Sequence, residues 1–412
     1  MVRMLMISAE FSPSPPTPTR VSTLAKIFAG EGHSVVLLSN SGRLAKGSGL
    51  SSLLKNLLPA RAQIDGVTWF FPPAIRGSFA KGLPNALEGL FSIASTLIFG
   101  LLLLLCEVTR PDIIYSSTAQ SQGLIGSFLK TVLRRPLVVN YGDPAFVRDT
   151  GIVRRIERFF EIVTFSKADL VFATDPVVVE FVRQEYGKKA VFLPNGYDAD
   201  LFQVPSDYRK TPSGLKIIVF VGKIDLSIYR LDVLLKALRL VTDRFPDVRL
   251  RVIGNGPDRV RLKSLAMRLG VQSSVEFVGL VPHDDVPRWL SRSDVCVHIT
   301  NDMCTGIKVA EYMAAKKPVV IAAPWWNRYS EFLENGVNCS MVPLVAEELA
   351  IAIADLLTNP FRAASLAIKG YKTVSPWTWE AIAQEKMRLI MRLTKRTVPQ
   401  LHLESLDVRD LV

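Results

Sequence analysis

The sequence predicts an α/β protein of two domains, each built on a doubly wound parallel sheet. Three observations predict it. Apolar runs of strand length alternate with amphipathic runs of helix length along almost the whole chain, the pattern of βαβ units. The 412 residues exceed one ordinary domain and suit two of roughly 200 each. Residues 305–323, TGIKVAEYMAAKKPVVIAA, read as a loop, a helix and a strand directly behind another apolar strand, Val295–Ile299. In that stretch Val309, Tyr312 and Met313 recur at the spacing of one helical face. Pro318 is expected to stop the helix, and residues 319–323 to follow as a buried strand.

Open α/β sheets bind ligands at the carboxyl ends of their strands, where this loop lies. The unpaired N–H groups of a helix opened by Gly306 can hold a phosphate. One turn further in, Glu311 can accept two hydrogen bonds from a sugar diol.

Composition narrows the partners. Nearly half the residues are apolar, enough for a large core. The formal net charge is +12, with the excess spread over both halves. A spread excess suits phosphorylated small molecules or an anionic membrane face. No helix-turn-helix, zinc-finger or aromatic-basic signature points to nucleic acid. The four cysteines, Cys106, Cys296, Cys304 and Cys339, form no CxxC pair, which predicts a reduced, cytoplasmic protein with neither disulfide framework nor zinc site. The apolar run 4–7 is too short for a signal peptide and is followed by Glu10, so it reads as a first strand.

The first domain is expected over residues 1–203. Residues 2–8 are strand one, a proline-rich loop follows, and a helix over 21–30 leads to a second strand. Residues 41–63 read as a polar loop and 67–71 as a strand. Residues 87–106, LEGLFSIASTLIFGLLLLLC, are the most apolar stretch. They read as a transmembrane span, a buried core helix, or a helix dipping into the cytosolic leaflet beside Arg76, Lys81 and Arg110. Strands and helices then alternate through PDIIYSS, a helix over 121–134, PLVVNYGDP, a helix over 151–166, ADLVFATD and AVFLPNG. Asp175 and Pro176 are placed to cap and open the next helix. Asp198 and Asp200 imitate a metal-binding DxD, but their place favours a structural turn. Residues 204–214 are a linker by composition. A second domain over 215–376 repeats the alternation, and residues 377–395 form an amphipathic helix.

Several stretches in this order resemble glycosyltransferase family 4, in its branch for polysaccharide and lipid-linked glycans: GIKVAEYMA, PNGYDADLF, the VGK turn at 221–223 and the GNGP turn at 254–257. The resemblance implies a GT-B fold, two Rossmann-like domains facing a central cleft, with the last helix crossing back to the first domain. It implies a retaining, metal-independent transfer of a sugar from a nucleotide-diphosphate sugar, with no cofactor. The apolar helix and basic first domain point to a glycan or lipid-linked acceptor and a peripheral place at the cytosolic membrane face.

The resemblance also implies site residues. Gly222, Gly306, Lys308, Glu311 and Asp302 would bind the donor, and Lys223 and Arg230 would meet the charge developing on the leaving diphosphate. The family has arginine first and lysine second at those two positions, so the cations are exchanged. The family's first glutamate falls at Met303, leaving only Asp302 beside it to reach the sugar. The glycine-rich N-terminal turn is absent but its arginine, Arg20, remains on the acceptor or phosphate side. Many relatives carry histidine where Gly142 stands. Asp143 follows it, and reads either as the group that orients or deprotonates the acceptor hydroxyl or as a turn cap. Lys308 reads either as a phosphate ligand or as a solvated helix residue, and His283 as a turn residue. Two rival readings stay open: a GT-B-fold sugar or nucleotide binder or scaffold that lost activity with the missing glutamate, and a GT-B enzyme with a soluble acceptor.

Overall fold

A computed structural model of the chain describes residues 1–8, 20–39, 60–72, 94, 96–98, 110–142, 151–202, 214–301, 306–324 and 332–395. The chain divides into two compact units: Met1–Pro194 with the segment that begins at Glu380, and Asn195–Trp379.

The first unit holds strands β1 (Arg3–Ser8), β2 (Ser34–Ser39), β3 (Ala60–Ile64), β4 (Val67–Phe71), β5 (Ile113–Ser116), β6 (Leu137–Tyr141), β7 (Leu170–Ala173) and β8 (Val191–Phe192). Its helices are α1 (Arg20–Gly30), α2 (Ser121–Leu133), α3 (Gly151–Lys167) and α4 (Pro176–Tyr186). The sheet order is β3-β4-β2-β1-β5-β6-β7-β8. All pairs are parallel except β3 with β4. β1 and β5 to β7 are apolar because helices cover both faces of a parallel sheet, and Met6, Ile7, Ile114 and Val138 are wholly buried. Asp175 caps α4 as expected, accepting from the Val177 amide at 3.1 Å with Pro176 at the first helical position.

The structure corrects the reading of 41–63 as loop throughout, since its end belongs to β3. Asp65 and Gly66 both have positive φ and join β3 to β4 in a tight hairpin. Asp-Gly is the signal for such a turn. Of the stretch 87–106 only residues 94 and 96–98 are described, all helical, so its three readings lie outside the described residues. Residues 204–213 of the linker lie outside them too.

The second unit holds α5 (Ala199–Phe202), β9 (Lys216–Val221), α6 (Leu231–Arg244), β10 (Val248–Ile253), α7 (Arg259–Arg268), β11 (Val275–Gly279), α8 (Val286–Ser291), β12 (Val295–Ile299), α9 (Gly306–Ala314), β13 (Val319–Ala322), β14 (Ser340–Val342), α10 (Ala346–Thr358) and α11 (Pro360–Val374). Its sheet runs β11-β10-β9-β12-β13-β14, all parallel. This is the Rossmann strand order, with its reversal between β9 and β12. Leu234 and Leu238 of α6 and Ile353 and Leu356 of α10 pack together against β9 and β12. Each such side chain contributes about 1.5–3 kcal/mol by leaving water.

Two helix boundaries differ from the sequence reading. α9 ends at Ala314, ahead of Pro318. Lys316 adopts left-handed backbone, its amide reaching the Met313 carbonyl at 2.9 Å while the Lys317 amide reaches Tyr312 at 3.1 Å. That is a Schellman turn with lysine in the position glycine usually takes. α11 was not foreseen, although Asn359 and Pro360 announce it: the Asn359 side chain accepts from the Arg362 amide at 3.0 Å. The final helix, α12 (Trp379–Lys395), joins the first unit from Glu380 onward. Among the described residues no single helix is long and apolar enough to cross a membrane. Only α10 and α11 taken together pass on length and composition, and they are bent by 102° at their junction.

Candidate active site

The reversal point of the second sheet brings three turns together. The turn after β9 starts at Gly222. The turn after β10 is pressed onto it: Gly254 has φ +136°, and a Cβ there would lie 1.9 Å from the Gly222 carbonyl oxygen. Only glycine meets both demands, so the GNGP turn shapes the neighbouring turn. Ile224 donates to the Asn255 carbonyl at 3.0 Å, and Leu226 to the Asp258 carboxylate at 2.8 Å. From the other side the Asn301 amide, just past β12, donates to the Ile228 carbonyl at 2.7 Å. The Tyr312 hydroxyl, buried in α9, accepts from the Val221 amide at 2.7 Å and so pins the end of β9. The backbone from 222 to 230 is therefore fixed by its neighbours, as a ligand-binding turn requires.

Lys223 and Arg230 stand at the two ends of that turn, each facing a carboxylate two residues further on. Lys223 Nζ lies 2.7 Å from Asp225. Arg230 forks onto Asp232 with two 2.9 Å bonds. Both carboxyls are held below their usual range, chiefly by these hydrogen bonds. Half-exposed pairs of this kind are worth about 0–1 kcal/mol, so an incoming diphosphate can take the cations over.

α9 opens at Gly306, meets the end of β9 through Tyr312, and carries Glu311 on its buried face. The carboxylate is 2 % exposed. Lys308 donates to Oε2 at 2.7 Å, and His283 Nε2 lies 3.0 Å from Oε1. Burial pushes the Glu311 carboxyl up, but the Lys308 ammonium and the His283 hydrogen bond outweigh it and hold the group below the usual carboxylate range. Glu311 is thus an ionised acceptor, and each oxygen keeps a further lone pair for a hydroxyl donor. His283 sits in the single 3-10 turn His283–Asp285, as a turn residue was expected to, with its ring edge against Phe202 at 6.2 Å. Its partnership with Glu311 was missed. His298 was also passed over. It is buried in β12, its pKa pushed down to about 4 by burial, and Tyr229 of the fixed turn meets its ring edge-on.

Of the expected residues, Lys308 and Glu311 are in direct contact, Gly222 and Lys223 follow the end of β9, Arg230 directly precedes α6, and Gly306 opens α9. Asp302, with Met303, lies outside the described residues, as does Asp143. Arg20 belongs to the other unit. It starts α1, and its Nη1 would lie 2.6 Å from a Cβ at Gly142, so its guanidinium occupies the space a side chain at 142 would need. Asp198 acts as a cap: it accepts from the Leu201 amide at 3.0 Å at the start of α5, the structural role. Among the described residues no group of three or more His, Cys, Asp or Glu could hold a metal ion.

Two α/β units on largely parallel sheets, and the likeness in fold to solved glycosyltransferases, put the chain in the GT-B class of folds. Residues 17–196 match the family "Glycosyl transferase 4-like domain" and residues 215–359 match "Glycosyl transferases group 1". The chain belongs to glycosyltransferase family 4. It is 32 % identical over 209 residues to the phosphatidyl-myo-inositol mannosyltransferase of Mycobacterium tuberculosis, covering 49 % of this chain and 54 % of that protein. It is 25 % identical over 288 residues to the mannosylfructose-phosphate synthase of Agrobacterium fabrum, covering 62 % of this chain and 60 % of that one. The chain thus spans little more than half the length of these curated relatives. In fold it is similar to the sucrose-phosphate synthase of Thermosynechococcus elongatus (TM-score 0.78, 19 % identity, 96 % of this chain and all of that one). It is also similar to Anabaena HepE in complex with UDP (TM-score 0.68, 20 % identity, 95 % of this chain and all of that one).

Proposed function

We propose that this chain transfers a sugar from a nucleotide-diphosphate sugar to a lipid-linked or membrane-proximal glycan acceptor, with retention and without a metal cofactor. The observation that carries this reading is the buried Glu311 carboxylate, ionised and oriented by Lys308 and His283 one turn inside α9. In that position it takes the hydroxyls of the donor's ribose. The N-terminus of α9 and Lys308 receive the diphosphate, while Lys223 and Arg230 leave their carboxylates to meet the charge that develops as the glycosidic bond breaks. Asp302 is assigned to the transferred sugar, Asp143 to the acceptor hydroxyl and Arg20 to an acceptor phosphate. The names of the mycobacterial relatives support a lipid acceptor, and with it a peripheral place at the cytoplasmic membrane face.

A soluble acceptor is the second reading, favoured by the longer match to a mannosylfructose-phosphate synthase. Incubation with labelled nucleotide sugars, a membrane lipid extract and a panel of sugar phosphates separates the two. Label moving into the organic phase supports the lipid acceptor. Label moving only onto a sugar phosphate assigns the soluble one. No transfer to either, with donor binding intact, favours a non-catalytic binder.

A further inference from the structure

Helix α3 is fixed by its inner side and leaves an apolar, basic side uncovered. Glu161, 2 % exposed, anchors it. Its Oε1 accepts from the Tyr141 hydroxyl of β6 at 2.6 Å and from the side-chain amide of Gln120, just ahead of α2, at 2.7 Å. Its Oε2 accepts from the Tyr186 hydroxyl of α4 at 2.5 Å. Thr164 and Phe165 are buried on the same side. Three neighbouring elements thus hold one carboxylate, and a roll of the helix that buried its other side would break all of these bonds.

That other side carries Ile156, Phe159 and Ile162, which are 46 %, 59 % and 51 % exposed. At steps of three residues they run along one side of the helix. α2 packs against α3 and exposes Phe128 and Val132, one turn apart. Single apolar side chains on a surface need no explanation, but a run of them over adjacent helices marks a surface that meets something.

The charges beside the run choose the partner. Arg155 is exposed and precedes Phe159 by one turn on the same side. Arg154 and Lys167 of α3, and Arg134 and Arg135 after α2, are exposed as well. Arg158 is half exposed and bridges to Glu185 at 2.6 Å. The acids of α3 are Glu161, turned inward, and Glu157, half-buried. The uncovered side is therefore positive. A second copy meeting it about a two-fold axis would set the same arginines against one another. An anionic lipid surface suits both halves of the pattern: its head groups meet the arginines, and its acyl boundary takes Phe159 and the neighbouring side chains.

We propose that the outer side of α3, centred on Phe159, docks the first unit on an anionic membrane surface. Docking here rests on the peripheral membrane place proposed above and supplies its contact surface.

Sedimentation of the full chain with lipid vesicles tests it. The wild type is expected to sediment with mixed phosphatidylglycerol and phosphatidylcholine vesicles and to stay in solution with phosphatidylcholine alone. Phe159→Gln combined with Ile162→Gln weakens that binding about tenfold or more. Arg155→Glu, a change of two charges, weakens it about tenfold and flattens its salt dependence. These side chains are exposed, so the variants are expected to unfold in urea as the wild type does. Phe159→Trp adds a fluorescence emission that brominated acyl chains quench. A wild type that ignores anionic vesicles overturns the proposal, as does a Phe159→Trp emission left unquenched, or binding that survives Phe159→Gln with Ile162→Gln. A wild-type dimer that the same double variant dissociates, with no vesicle binding, overturns it in favour of a contact between copies. Sugar transfer to lipid dispersed in detergent needs no docking and reports on the acceptor alone.

Discussion

His283 and Glu311, 28 residues apart in sequence, meet with Nε2 3.0 Å from Oε1, and Lys308 takes the other oxygen of the same carboxylate. This arrangement turns a buried glutamate into an oriented anion. Glu311→Ala removes the acceptor and leaves Lys308, three-quarters buried, without its partner. Breaking a fully buried pair costs about 3–5 kcal/mol. Discounted for the water that reaches Lys308, we expect about 2 kcal/mol of stability lost in urea titration, together with loss of nucleotide binding.

His283→Ala is the milder change. Lys308 still holds the carboxylate, and one hydrogen bond to a charged group, worth about 1.5–3 kcal/mol, disappears. We expect nucleotide affinity to fall about tenfold by calorimetry, and His283→Gln to restore part of it. A role confined to the turn would leave affinity unchanged in both variants.

Glu311 also predicts a pH dependence. Its carboxyl titrates lower in the folded chain than in the unfolded one, so its contribution to stability is complete above the ordinary carboxylate range. That contribution is lost as pH falls through the folded value. Urea midpoints taken from neutrality into acid should therefore fall less steeply in Glu311→Gln than in the wild type. Lys386 of α12, whose buried ammonium donates to the Asn140 side chain, works from the other side, its pKa being lowered by burial. The stability of Lys386→Met relative to wild type should be greatest at low pH and shrink as pH rises toward the ordinary lysine range.

Gly254→Ala tests the fixed turn. Its Cβ would lie 1.9 Å from the Gly222 oxygen, on backbone of φ +136°. Strain of that kind costs about 1–3 kcal/mol before the clash is added. Urea unfolding should show a loss of about 3 kcal/mol or more. Nucleotide binding should weaken as well, because the turn carrying Lys223 and Arg230 moves.

Much of this was legible in the chain because it is local. The buried strand runs, the period of α9 and the Asp175-Pro176 start each rest on neighbouring residues. β3 and α11 were legible too, through Asp65-Gly66 and Asn359-Pro360, and went unread because the surrounding composition is loop-like and polar. The stop of α9 at Lys316 was hidden, since a left-handed lysine depends on packing: its ammonium lies 4.6 Å above the Tyr371 ring of α11. The pairing of His283 with Glu311 and of Lys386 with Asn140 is tertiary and has no spacing signal. Lys386 leaves one trace, a charge in the apolar stripe of an amphipathic helix.

The most direct measurement is a thermal-shift panel of UDP, GDP, ADP and their sugars on the wild type and Glu311→Ala. A ligand at 100 times its dissociation constant adds about 2.7 kcal/mol, several degrees for a domain of this size. The expected result is a shift with one nucleotide class that vanishes in Glu311→Ala. No shift with any nucleotide, or one that survives the loss of Glu311, would contradict it.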